Sequence, residues 1–174
     1  MLLGSNAGTN PVTKDRPTKS ETELIATLIS QSRYAEAYLL LKNEATDNTA
    51  TQYNLALCLY WAGSYREALM SLDKAQLFMP VNTGSGKTNP ATDSFYKAIR
   101  EKQNGLDDHR NPVTQKNIEL TTQMVADGIV RLKTDCWLQL GEYARVIDIA
   151  TPIAYKNYLN IFEALTIAKQ HLNK

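Results

Sequence analysis

The chain carries only two cysteines in 174 residues, Cys58 and Cys136, and neither belongs to a Cys-x-x-Cys pair. Its two histidines, His109 and His171, lie far from both in sequence. A zinc site needs clustered thiolate and imidazole ligands, so this spacing argues against one. The thiols read as two buried free cysteines, with a disulfide between them as the alternative. Unpaired thiols point to a reducing compartment. An excess of one charge is also missing: the formal net charge of +1 gives no general pull toward nucleic acid or an anionic membrane. No run approaches the roughly 18 apolar residues that a membrane helix needs. The apolar part of MLLGSNAGTNPV is too short for a signal peptide. The location is left open, with the cytoplasm as the preferred reading unless a targeting segment has been removed.

Catalytic patterns are absent as well. No glycine elbow surrounds a serine, and no Ser, His and Asp stand in a nucleophile setting. Residues Val81 to Thr88 end like a phosphate-binding loop, in Gly84, Ser85, Gly86, Lys87 and Thr88. Such a loop needs a glycine where Val81 stands and a strand before it, and here a helix pattern precedes it. A Gly/Ser connection is the preferred reading, with nucleotide binding at 84–88 as a remote alternative. Asp107, Asp108 and His109 form a polar cluster without further ligands nearby, which reads as a solvated turn. Nothing here implies catalysis or a cofactor.

What is present is ordinary globular material, 43% apolar and 21% charged, enough for one domain with a core. The best-patterned stretch is 51–80, TQYNLALCLYWAGSYREALMSLDKAQLFMP. Its periodicity predicts a helix over 51–62 with Leu55, Leu59 and Ala62 on one stripe, and a second over 65–78 with Ala68, Leu69, Leu72, Ala75 and Phe78 on another. Gly63 ends the first and Pro80 stops the second. Small residues at Ala56, Ala68 and Ala75 allow the axes to approach closely.

Leu55, Ala56, Leu59, Gly63, Tyr65, Ala68, Leu72, Ala75 and Pro80 together resemble the tetratricopeptide repeat, a helix–turn–helix unit of about 34 residues. Gln52 stands where the family pattern has its first-helix Trp. The same turn-and-helix pattern recurs 31 residues earlier, where Tyr34, Glu36, Ala37 and Leu41 match Tyr65, Glu67, Ala68 and Leu72. There Ser32 replaces the turn glycine. A third, degenerate copy spans 127–154, with Gly141 and Tyr143 at the turn and Lys133 in place of a large apolar residue. The expected fold is all-α: a short right-handed superhelix of tetratricopeptide-like helix pairs with a C-terminal capping helix over 157–172.

The remaining chain divides by composition. Residues 1–19 read as a flexible arm, and 20–174 as one helical domain. Ser20 and Glu23 suggest a capping box opening a helix over 21–31. Residues 80–113 form an irregular insertion, with a loop at 80–93, a short helix over 91–104 and a break at 105–113. One long helix is predicted over 114–140, followed by another over 143–154.

Function follows from the resemblance. First helices of such repeats line a concave face, which places Tyr53, Asn54, Leu57, Tyr60 and Trp61 in a groove. The resemblance thus implies a non-catalytic protein–protein interaction module, an adaptor or scaffold subunit. A peptide or partner helix would bury the aromatic rings, and Asn54 would hydrogen-bond the partner backbone. The alternative is a structural subunit of a larger helical complex, its groove filled by its own helices. The family also has modules that clamp a peptide carboxylate. Asn54 matches one clamp position, but Thr22, Ala26, Gly128 and Leu132 stand where the charged and amide partners would be. The oligomeric state is left open.

Overall fold

The computed structural model describes residues 19–80 and 94–173. Of the expected arm at 1–19, residues 1–18 lie outside the described residues and Lys19 opens the first helix; the glycine-rich stretch at 84–88 also lies outside them. Among those described there are nine α-helices and no strands, so the fold is all-α. The helices are α1 (Lys19–Ser30), α2 (Tyr34–Leu41), α3 (Thr49–Trp61), α4 (Tyr65–Leu77), α5 (Ser94–Asn104), α6 (Gln115–Leu120), α7 (Thr122–Gln139), α8 (Tyr143–Ala150) and α9 (Leu159–Leu172). Two 3-10 turns, Asp108–Arg110 and Thr151–Lys156, precede α6 and α9. Among the described residues no helix is long and apolar enough to cross a membrane.

Three of the helix connections are built alike. After α3, the Gly63 N–H donates to the Tyr60 carbonyl and the Ser64 N–H to Leu59. After α7, Gly141 and Glu142 donate to Leu138 and Trp137, and after α1, Ser32 and Arg33 donate to Ile29 and Leu28. This paired pattern satisfies the last carbonyls of a helix and needs a left-handed residue at its pivot. Gly63 (φ +78°) and Gly141 (φ +71°) supply it without a Cβ, whereas Ser32 adopts φ +60° with one.

Packing follows the small residues. Ala56 of α3 and Ala68 and Ala75 of α4 are fully buried in the core shared by α1–α4, α6 and α7. Smaller clusters join α8 to α9: Ala150, Tyr158, Ile161 and Leu165 in one, Val146, Ala164 and Ala168 in the other. The last helix thus buries one face, while Phe162 points outward. Cys58 and Cys136 are buried and free. Burial pushes both thiols up to about 12, so neither is a thiolate at neutral pH.

Several expected boundaries are corrected. Ser20 lies inside α1 rather than capping it. The single helix predicted over 114–140 is two, broken at Thr121, whose backbone (φ −137°, ψ 43°) leaves the helical region. Thr121 and Thr122 hydroxyls bond back to the Asn117 and Ile118 carbonyls there, competing with the ladder. The helix predicted over 143–154 ends at Ala150, where Pro152 turns the chain into a 3-10 segment because it has no N–H to continue the ladder.

The turns generate a test. No atom lies within 4 Å of a Cβ built at Gly63 or Gly141, so only backbone strain opposes substitution. Gly63→Ala and Gly141→Ala are each expected to lower stability by about 1 kcal/mol in urea denaturation. Ser32→Gly, which relieves the same strain, is expected not to lower it.

Candidate functional site

The expected binding face sits on α3, which Asn48 starts by accepting the Ala50 and Thr51 N–H groups on its side chain. This helix is apolar or packed nearly all round. Tyr53, Asn54 and Leu57 are 1%, 2% and 0% exposed. Residues 108–113 cross over Tyr53 and Asn54. The Tyr53 hydroxyl donates to the His109 carbonyl at 2.6 Å. The Asn54 amide donates to the Val113 carbonyl at 2.8 Å, and its oxygen accepts the Val113 N–H at 2.8 Å. Asn54 thus makes the backbone contact expected of it, but with the chain's own insertion. An open groove at Tyr53, Asn54 and Leu57 is corrected accordingly: their positions are interior.

The other two residues diverge from these three. Tyr60 is half-buried, edge-on to Tyr65 with ring centroids 5.5 Å apart and under the Arg110 guanidinium at 5.5 Å. Burial pushes its phenol up to about 12. Trp61 is 54% exposed and stacks on Tyr34 of α2 at 4.9 Å. It borders a groove of about 430 Å³ between α2 and α3, walled also by Tyr38, Cys58 and Leu59. The five residues therefore split between an interior, a rim and an outer groove.

What holds 106–113 in place is a row of buried charges on α7. Asp127, Arg131 and Asp135 recur at four-residue spacing on one helix face, and all three are buried. Arg131 donates through Nε to Asn160 at 2.8 Å and through Nη2 to the Leu106 carbonyl at 2.7 Å. Its Nη1 pairs with Asp108, and its guanidinium lies 4.4 Å from the Tyr158 ring. Asp135 faces His109 Nε2 at 2.8 Å and accepts from Arg110 and Asn160 at 2.9 Å each. Asp127 takes Lys156 at 2.7 Å and the Tyr158 hydroxyl at 2.7 Å. Farther along, Lys133 reaches Asp73 of α4 at 2.6 Å and Gln76 at 2.6 Å. That accounts for a lysine where the repeat pattern has an apolar residue.

This network corrects the reading of Asp108 and His109 as part of a solvated turn, while Asp107 stays exposed. His109 is buried against Asp135, and Asp108 pairs with Arg131. Asp127, Arg131 and Asp135 recur at i, i+4, i+8 in the sequence, but that row by itself does not show what they pair with. Burial alone would raise the Asp135 carboxyl. The bonds from His109, Asn160 and Arg110 outweigh that and hold it below the ordinary value. Among the described residues no three His, Cys, Asp or Glu side chains group to hold a metal ion.

Comparison with protein-family models, curated proteins and solved structures returned no match.

Two tests follow from this geometry. A Cβ at Gly128 of α7 would sit 2.7 Å from the Tyr53 hydroxyl oxygen, which is fixed by its bond to His109. Gly128→Ala is expected to destabilise by about 1–3 kcal/mol through overpacking. In a Tyr53→Phe background the same change is expected to cost at least about 1 kcal/mol less, as read from a double-mutant cycle. The second test is pH dependence. A carboxyl held low in the folded state stabilises above its unfolded pKa of about 3.9, and that contribution is lost as pH falls through the folded value. Asp135→Asn, which leaves Arg110 and His109 without their anion, is expected to cost about 3 kcal/mol at pH 7. The gap from the parent is expected to narrow below about pH 4, as measured by denaturation across pH.

Proposed function

We propose that this chain is a non-catalytic protein-interaction module of tetratricopeptide-like helix pairs, an adaptor or assembly subunit. In this reading its binding surface is the outer groove between α2 and α3, and a peptide or partner helix lies against Trp61, Tyr38 and Leu59. The observation that carries the reading is Trp61, a large ring more than half exposed, stacked on Tyr34 and bordering an apolar groove. Rigid aromatic side chains of this kind supply most of the energy of interfaces when they become buried.

A second reading has its own support. Val113 sits on Asn54 as a bound peptide would, which favours a structural subunit whose concave face is self-filled. The two differ in what Trp61 does. Purified protein would be used to capture partners from its native source, beside a Trp61→Ala/Tyr38→Ala variant shown by circular dichroism to be equally helical. The interaction reading expects a captured partner whose affinity falls at least about tenfold in the variant, or about 1.4 kcal/mol. A partner held equally by both proteins would move the interface away from this groove and favour the structural reading.

A further inference from the structure

A separate cavity of about 270 Å³ lies between α5, the 108–113 segment and the start of α7. Its wall includes Arg100, Asp108, Val113, Met124, Asp127 and Arg131. Most of these charges are already matched. Arg131 pairs with Asp108, and Asp127 pairs with Lys156. Arg100, Arg131 and Lys156 set against Asp108 and Asp127 leave one surplus positive charge, and it resides on Arg100.

The surroundings of Arg100 are poor for a guanidinium. Its side chain is only 17% exposed, and the nearest carboxylate oxygen among the described residues, on Asp108, is 4.0 Å away on a group that Arg131 already engages. Nη2 donates to the Tyr158 hydroxyl at 2.9 Å, whose own proton goes to Asp127. Nη1 meets the Met124 sulfur at 3.8 Å, and a thioether is a weak acceptor. Among the described residues, this planar guanidinium fork, largely removed from water, therefore lacks the bidentate acceptor that suits it best.

We propose that this cavity binds a small organic monocarboxylate, its carboxylate group on Arg100 and its hydrocarbon part against Val113, Met124 and Val125. The class follows from three features. One surplus charge calls for a monoanion, and Asp108 and Asp127 in the wall oppose a dianion such as phosphate. A flat fork matches a carboxylate. The volume lies just below the range of drug-sized ligands, roughly 300–1,000 Å³, so the ligand is smaller than those. The inference is independent of the α2–α3 groove.

Calorimetric titration of the full chain with butyrate, benzoate, neutral benzamide and inorganic phosphate tests it, with Arg100→Gln, Met124→Glu and Met124→Gln as variants. At least one of the two carboxylates is expected to bind saturably, with benzamide and phosphate at least about tenfold weaker. Arg100→Gln is expected to weaken the carboxylate at least about tenfold. Met124→Glu supplies a carboxylate from within the wall. It is expected to raise the melting temperature above the parent and abolish carboxylate binding, whereas Met124→Gln does neither. The proposal is overturned if neither carboxylate binds, if phosphate binds as well as they do, or if binding survives Arg100→Gln. Should Arg100→Gln fail to fold, Met124→Glu decides: retained carboxylate binding, or no gain in melting temperature, overturns it.

Discussion

Burying Asp127, Arg131 and Asp135 on one face of α7 is the constraint on which the rest of the fold depends. Removing such a charge from water costs several kcal/mol, and the cost is met only when each ion finds close, well-oriented partners. Those partners come from two distant places. Leu106, Asp108, His109 and Arg110 approach from one side, and Lys156, Tyr158 and Asn160 from the other. Residues 106–110 contain only a short 3-10 turn, and 156–158 link a 3-10 segment to α9, so no α-helix fixes either stretch. The charged face of α7 therefore dictates the path of the insertion and the entry into α9 together. The Asn104 amide, bonded to the Lys156 carbonyl at 2.7 Å, ties the two segments to each other directly.

Once 106–113 is held against α7, it has to cross α3. Gly128 permits this by leaving room for the Tyr53 ring, and the Tyr53 hydroxyl then meets the carbonyl of His109. Asn54 satisfies both backbone groups of Val113, which would otherwise be unpaired in the interior. The resulting contact pairs a side chain of α3 with the backbone of the insertion. What remains open to solvent are surfaces that the insertion does not reach, among them the Tyr34–Trp61 stack.

Helix existence was legible from the sequence because periodic apolar residues and turn pivots are local signals. Gly63 and Gly141 announced their turns, Ser32 was recognised from its 31-residue offset, and Ala56, Ala68 and Ala75 marked the close contacts. The break at Thr121 was harder, since threonines disrupt a helix only through bonds to their own backbone. The site was half legible. The repeat resemblance singles out Tyr53, Tyr60 and Trp61, but it gives no way to know that a segment about 55 residues downstream covers the first and leaves the last exposed. The row of Asp127, Arg131 and Asp135 reads as a solvated helix face until its partners are known, and those partners are long-range. Pairing of that kind leaves no local pattern.

The claim that the insertion is an integral part of the packing over α3 rests on the Val113 amide, which donates to the buried Asn54 side chain. Native-state hydrogen exchange of that one amide tests it most directly. The account predicts that Val113 N–H exchanges only through large-scale opening, with protection close to that of core amides in α3 and α7. Exchange at the rate of an exposed loop amide, in a protein whose helices remain protected, would contradict it and return Tyr53, Asn54 and Leu57 to an accessible groove.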